Sequence, residues 1–293
     1  MWTVQAKSRN IHVVDVNMSG AAAESLWLLT SDRHHDNPKG DHELERQHLE
    51  EAKRLGAGII DCGDLFCALE GRADPRRSRQ GVRPEHAVVP DYFDSLVSHA
   101  HDFYAPYARN FVVLGRGNHE TSVLKNQETD LTERLCERMT HSTKHKVHSG
   151  GYGGWVVFNC RWHTRKYTYL LKYFHGSGGG GLMTMDTLRI RRIAGWTPDA
   201  NVIVGGHTHD QWWHTIGRER LHTDTGAYQV RLDVQHHVRC GTYKDEYGDG
   251  YGGWHVERGG PPKPLGAVWM RLYYENLDRN NRYRLAADFR RAV

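Results

Sequence analysis

Five short stretches of the chain carry the residue types that divalent metals need. In order they are Asp32-Arg33-His34, Gly63-Asp64, Gly117-Asn118-His119-Glu120, His175-Gly176 and Gly206-His207-Thr208-His209. The first and last each set two metal-type ligands two residues apart. Asp, His and Asn offer donors of intermediate hardness, a mixture that suits Mn, Fe, Zn or Co better than Ca, which prefers an all-oxygen cage. Strand alternation places residues i and i+2 on one side. Asp32 with His34, or His207 with His209, can therefore meet one metal centre if the backbone stays extended. A carboxylate between two such clusters can bridge both ions, and Asp64 is the natural candidate. Two ions about 3.5–4 Å apart would lower the pKa of a shared water and clamp both oxygens of an in-line displacement, chemistry directed at phosphate esters.

Each stretch follows an apolar run. Residues 25–30 (SLWLLT), 57–62 (AGIIDC), 111–114 (FVVL), 167–174 (YTYLLKYF) and 202–204 (VIV) read as strands. In α/β sheets functional groups collect at the carboxyl ends of strands, and every candidate here does so. Residues 41–56 have helical periodicity, with Leu44, His48, Ala52 and Leu55 on one face and Gly56 as the stop. Helices are also expected over 91–108, 121–140 and 182–193, and strands over 155–160 and 267–274.

The composition of the 293 residues, 38% hydrophobic and 25% charged, fits a globular protein with a core. We expect one domain over 1–293 with insertions at about 70–90 and 241–266. No run approaches the roughly 18 apolar residues that span a bilayer, so no membrane partner is expected. The first ten residues, MWTVQAKSRN, lack an apolar signal core. The five cysteines, an odd number, form no CxxC pair, which points to a reduced, cytoplasmic protein. A net charge of +4 does not prove a nucleic-acid partner. Arg72, Arg76, Arg77, Arg79 and Arg83 lie in the first insertion and could guide a polyanion, though a solvated loop is the simpler reading. Gly176 to Gly181 (GSGGGG) reads as a flexible hairpin or hinge. Trp212, Trp213, Tyr243, Tyr247, Tyr251 and Trp254 read as packing rather than base-stacking groups. His35 and Asp36 are expected at the surface, with a supporting role open to Asp36. His236 and His237 are not expected to be ligands.

The five stretches together resemble the calcineurin-like metallophosphoesterase superfamily, whose pattern is D-x-H, GD, GNH-D/E, a lone His and G-H-x-H. The match runs from Asp32 to His209. It implies an α/β four-layer sandwich of two mixed β-sheets flanked by helices. It also implies a binuclear phosphoester hydrolase in which a metal-bridging hydroxide attacks phosphorus. Asp32, His34 and His209 would bind one ion, Asn118, His175 and His207 the other, and Asp64 both. His119 would contact the phosphoryl group and protonate the leaving oxygen, and Glu120 would orient His119 or a ligand. Arg33 and Arg116 would be phosphate contacts. The expected cofactors are two divalent ions, manganese foremost, with Fe, Zn, Co or Ni as alternatives.

Arg116 to Glu120 (RGNHE) resembles the protein Ser/Thr phosphatase branch. However, Gly63-Asp64 continues as Leu65-Phe66-Cys67, and the terminal Gly-His-Thr-His is typical of the other branches. The preferred expectation is therefore a phosphodiesterase or nuclease acting on nucleotide or nucleic-acid phosphates. A phosphomonoesterase is the alternative, and a non-catalytic metal-binding scaffold a more distant one.

Overall fold

The structure is a computed structural model that describes residues 1–18, 23–68, 81–179, 187–223, 228–248, 254–257, 259–276 and 283–293. Two mixed β-sheets lie face to face with helices outside them. The five-stranded sheet runs β12 (Tyr283–Arg291), β11 (Val268–Asn276), β3 (Glu24–Thr30), β4 (Gly58–Asp61), β5 (Phe111–Leu114). The seven-stranded sheet runs β1 (Trp2–Ser8), β2 (Ile11–Asn17), β6 (Gly153–Trp162), β7 (Arg165–Phe174), β8 (Val202–Gly205), β10 (Gln229–Cys240), β9 (Gln211–His222). The four-residue strands β4, β5 and β8 are buried along their whole length. Each lies in a parallel ladder, the setting in which strands covered on both faces become continuous apolar runs.

Alternation along these strands feeds two cores. Trp27, Leu29, Ile60 and Val112 point inward to meet Val156, Phe158, Leu171 and Val204 between the sheets. Leu28, Ile59 and Phe111 point outward, under α1 (His42–Leu55), α3 (Tyr92–Tyr104) and α5 (Leu131–Thr143). Each fully buried side chain of this size contributes about 1.5–3 kcal/mol. On the other side, α6 (Thr187–Trp196) brings Ile193 against Ala200 and Ile203 of the seven-stranded sheet.

Asp41 caps α1 by accepting the Leu44 N–H at 3.0 Å, and Gly56 ends it at φ 63°. Its buried face is Glu45, His48, Leu49 and Ala52. Leu55, expected on that face, is exposed, and Glu45 takes an interior position because an arginine awaits it there. The helix expected over 121–140 is two helices, α4 (Asn118–Gln127) and α5. Glu128 breaks them apart in a left-handed conformation, and Asp130 caps the second. Asn118 and His119 therefore stand in the first turn of a helix.

The expected helix over 182–193 begins within residues 180–186, outside the described set, as does the end of the glycine stretch. Arg72, Arg76, Arg77, Arg79 and Tyr251 also lie outside it. The five cysteines are free and buried. Among the described residues no helix is long and apolar enough to cross a membrane.

Candidate metal centre

The ends of β3, β4, β5, β7 and β8 converge, and the donors gather in two groups. Asp32, His34 and His209 form one, and Asp64, His175 and His207 the other. In the first, His34 Nε2 lies 3.2 Å from His209 Nε2, and Asp32 Oδ1 lies 3.4 Å from the same His209 atom. In the second, Asp64 Oδ2 is 3.2 Å from His175 Nε2. Asn118 Oδ1 joins that group, 3.0 Å from His175 Nε2 and 2.7 Å from His207 Nδ1. The two groups touch where Asp32 Oδ2 accepts the His207 N–H at 2.8 Å.

The donors do not converge by strand alternation. Asp32, His34, Asp64, His207 and His209 have φ of 51°, 45°, 56°, 75° and 58°. The extended backbone expected at the two His/Asp pairs is replaced by left-handed turns, which swing alternate side chains toward one point. Non-glycine residues in this region cost energy and persist where the surroundings over-determine them. Two glycines permit the close approach. A Cβ at Gly117 would stand 2.0 Å from Asp64 Oδ1, and one at Gly206 would stand 2.1 Å from Asp32 Oδ2.

Main-chain carbonyls set the imidazole tautomers. A carbonyl only accepts, so His175 Nδ1 donates to Cys62 O at 3.1 Å and His119 Nδ1 to Cys67 O at 2.7 Å. This turns Nε2 of each ring toward Asp64, at 3.2 Å for His175 and 3.9 Å for His119. Burial opposes charge on His175, but the Asp64 carboxylate beside it, with Asp32 and Glu120, pushes its pKa up to about 9. His34 goes the other way: burial, then the nearby His119 and Lys244, hold it well below the usual imidazole value. Burial works against the Asp64 carboxylate too, yet His175 and His119 keep it well below the usual range.

This donor set fits divalent ions. Asp32 Oδ1 and His209 Nδ1 are buried without a hydrogen-bond partner. The facing ring nitrogens of His34 and His209 can share one proton at most. A metal ion would take up the Asp32 Oδ1 lone pair and those of the facing Nε2 atoms, because its ligands must be deprotonated, which leaves His209 Nδ1 carrying the proton.

Glu120 is buried and accepts the N–H groups of Asp64, Phe66 and Gly117 at 3.2, 2.8 and 2.9 Å. It braces the two loops that carry Asp64 and Asn118. Burial, reinforced by the Asp64 charge, pushes its pKa up to about 8.

Two expectations fail here. Arg33 is no phosphate contact: it is fully buried and turned away from the donors. Its Nε is 2.7 Å from Asp61 Oδ2, its Nη2 donates to Thr30 Oγ1 at 2.9 Å, and its Nη1 pairs with Glu45. Set between the left-handed Asp32 and His34, Arg33 points the other way, toward α1. Arg116 pairs through Nη2 with Asp130 at the start of α5. His35 and Asp36, expected at the surface, are also buried. Asp36 accepts the N–H groups of Cys67 and Ala68 at 2.6 and 2.7 Å and so pins the loop after Asp64.

Residues 242–244 contribute as well. Thr242 Oγ1 and the Tyr243 N–H both donate to Asp32 O, at 2.8 and 3.1 Å. Nothing in the local sequence marks them, because their partners lie some 210 residues away.

A further group of possible donors, His35, His42 and Glu45, has different chemistry. The two rings stack at 4.3 Å and 11°, so their lone pairs run parallel instead of converging. Arg83 Nη1 stands 2.9 Å from both His42 nitrogens, and Arg33 pairs with Glu45. Two guanidinium groups repel a divalent cation there.

No family model matches the chain, and no curated protein sequence matches it significantly. Solved structures resemble it at low identity. A conserved uncharacterised protein from Streptococcus pneumoniae, described as a predicted phosphoesterase, aligns at 11% identity and TM-score 0.34, over 92% of this chain and 100% of that one. Wild-type Vps29 of Entamoeba histolytica, complexed with zinc, aligns at 9% and 0.39, over 91% and 98%. GAP50, the anchor in the inner membrane complex of Plasmodium, aligns at 9% and 0.40, over 91% and 84%. Fold and site together define an α/β two-sheet protein with a metal-capable centre at its strand ends.

Proposed function

We propose that the chain is a metal-dependent phosphoester hydrolase that uses two divalent ions, manganese foremost, on a phosphodiester of a nucleotide or nucleic acid. The observation that carries the reading is the pair of adjoining donor groups, Asp32–His34–His209 and Asp64–His175–His207. Asp32, His34 and His209 would hold one ion and Asn118, His175 and His207 the other, with Asp64 the carboxylate available to both. When bound, two such ions activate water and neutralise phosphate charge.

The chain's own residues do the rest. His119 stands at the rim, its side chain 16% exposed. With Nδ1–H engaged by Cys67 O, its Nε2 is the atom that protonates the leaving oxygen. Glu120 and Asp36 hold the loops that place Asp64 and His119. The diester preference is supported by the Gly206-His207-Thr208-His209 ending and by the arginine-rich segment 72–83, which can draw in a polyanion.

A substrate panel with manganese tests the reading: a p-nitrophenyl monoester, the bis-p-nitrophenyl diester, cyclic nucleotides, and single- and double-stranded nucleic acid. Diester or nucleic-acid cleavage ahead of monoester cleavage is expected. Rapid monoester cleavage with intact nucleic acid overturns the substrate class. No cleavage by metal-loaded protein overturns the enzyme and leaves a metal-binding scaffold.

A further inference from the structure

Cys67 touches both the metal donors and the general acid, and neither role so far explains its side chain. Its Sγ is 3.0 Å from His34 Nδ1 and 3.4 Å from Asn37 Nδ2. The other nitrogen of His34 faces His209 Nε2 at 3.2 Å and Asp32 Oδ1 at 4.0 Å. The sulfur therefore lies behind the His34 ring, on the side away from the donor group. The carbonyl of the same residue accepts from His119 Nδ1.

We propose that Cys67 is a positioning residue for both imidazoles, with its sulfur fixing His34 and its carbonyl fixing His119. The inference rests on the metal-centre reading above. If His34 Nε2 gives its lone pair to an ion, Nδ1 must carry the proton and needs an acceptor. The sulfur is that acceptor, and the Asn37 amide is its second donor. A ligating imidazole held in this way keeps its tautomer and ring angle, and loss of such a partner typically costs 10–100-fold in metal affinity or activity. Burial pushes the Cys67 thiol well up, so it stays neutral. A neutral sulfur is a weak acceptor, which places the expected loss near the lower end, about tenfold.

The backbone of Cys67 is held independently of its side chain. Its N–H goes to Asp36 Oδ1, the Ala68 N–H to Asp36 Oδ2 and the Phe66 N–H to Glu120 Oε1. A side-chain change therefore removes the hold on His34 and leaves the carbonyl in place for His119.

Manganese titration against a competing chelator, with Cys67→Ala and Cys67→Ser, separates these roles. Cys67→Ala should lose about tenfold in affinity at one of the two sites. The manganese dependence of its hydrolysis should move to higher concentration by the same factor. Cys67→Ser keeps an acceptor and should recover most of the loss. Unchanged affinity at both sites in Cys67→Ala overturns the proposal. An equal loss at both sites overturns it too, because that reports general loosening. A native protein that binds two manganese ions yet cleaves no ester overturns the enzymatic reading alone, since the titration reads Cys67 without any turnover.

Discussion

The two sheets contribute to the centre in different ways. The five-stranded sheet presents Asp32, His34 and Asp64 on loops, and Asn118 and His119 on the first turn of α4, backed by buried charge. Arg33 joins Asp61, Glu45 and Thr30, and Tyr104 donates to Glu45 at 2.6 Å. The seven-stranded sheet presents His175, His207 and His209 on loops held by main-chain bonds. Gly206 N donates to His175 O at 2.9 Å and His175 N to Tyr152 O at 3.0 Å. Two of its fastenings reach across to the other sheet, through Cys62 O and Asp32 Oδ2. One half is braced chiefly by buried ion pairs and the other by main-chain bonds, and bonds between them run both ways, with Thr242 and Tyr243 holding Asp32 O. Each donor group takes members from both halves, so a bound ion would tie the two sheets together.

The largest effect should fall on turnover. His119→Ala removes the proton donor of the braced half and should lower hydrolysis about 10²–10⁴-fold. Metal uptake should survive, because the two donor groups stay intact. Full hydrolysis of a diester probe by this variant removes His119 from the chemistry.

The next effect concerns the brace itself. Arg33→Met strands Glu45 and Asp61 in the interior and should cost about 3–5 kcal/mol, measured by urea unfolding. Its counterpart on the other sheet is Arg218, which pairs with Asp233 at 2.9 Å across β9 and β10. That pair is partly exposed, so Arg218→Ala should cost about 1 kcal/mol or less. Equal losses would erase the distinction between the halves.

Acid should act in two stages, the first drawn from buried histidines of both halves, since burial also holds His35 and His48 down to about 4. On the seven-stranded sheet, burial, aided by His148, holds His12 down to about 4, and burial, aided by Arg239, holds His237 to about 4. Both accept protons near 6.5 once unfolded, so the unfolded state gains protons first. Their contribution is full above 6.5 and is lost as pH falls toward 4. Burial works against the Glu45 carboxylate, but Arg33 overcomes it and keeps Glu45 down at about 2. Its contribution is full above about 4.5 and is lost between there and 2. Urea midpoints across this range should fall in two stages, and His237→Gln should flatten only the upper one.

The smallest effect is local. Chelation should speed amide exchange in the loops at 175–176 and 206–209 more than in the loop at 31–36. A uniform change would mean that both halves depend equally on the ions.

Much of the centre was legible in the sequence because it sits where apolar runs end. The strands β3, β4, β5 and β8 are short, buried and unbroken, and the donors follow each directly. What escaped reading depends on direction and distance. Arg33 lies between two donors in the chain yet points the opposite way. The support from Thr242 and Tyr243 comes from far along the sequence. The strands β9 and β10 were missed for another reason. Val230, Leu232 and Val234 alternate as a half-buried strand should, but all three are exposed, so the pattern marks no core there. The β1–β2 hairpin sends Val14 and Val16 into the core, but His12 and Asp15 interrupt its apolar residues and β1 is largely exposed.

Five of the seven donors occupy backbone that glycine adopts without strain. For L residues this region costs roughly 1–2 kcal/mol each, and the chain entropy of glycine gives back about 0.5–1. A donor exchanged for glycine therefore relieves backbone strain, while at Asp32 and Asp64 it also strands the N–H groups of His207 and His119 that those carboxylates accept. Aspartate or histidine at all five positions sets a local conformational cost where the donors meet, one that the surrounding bonds must outweigh.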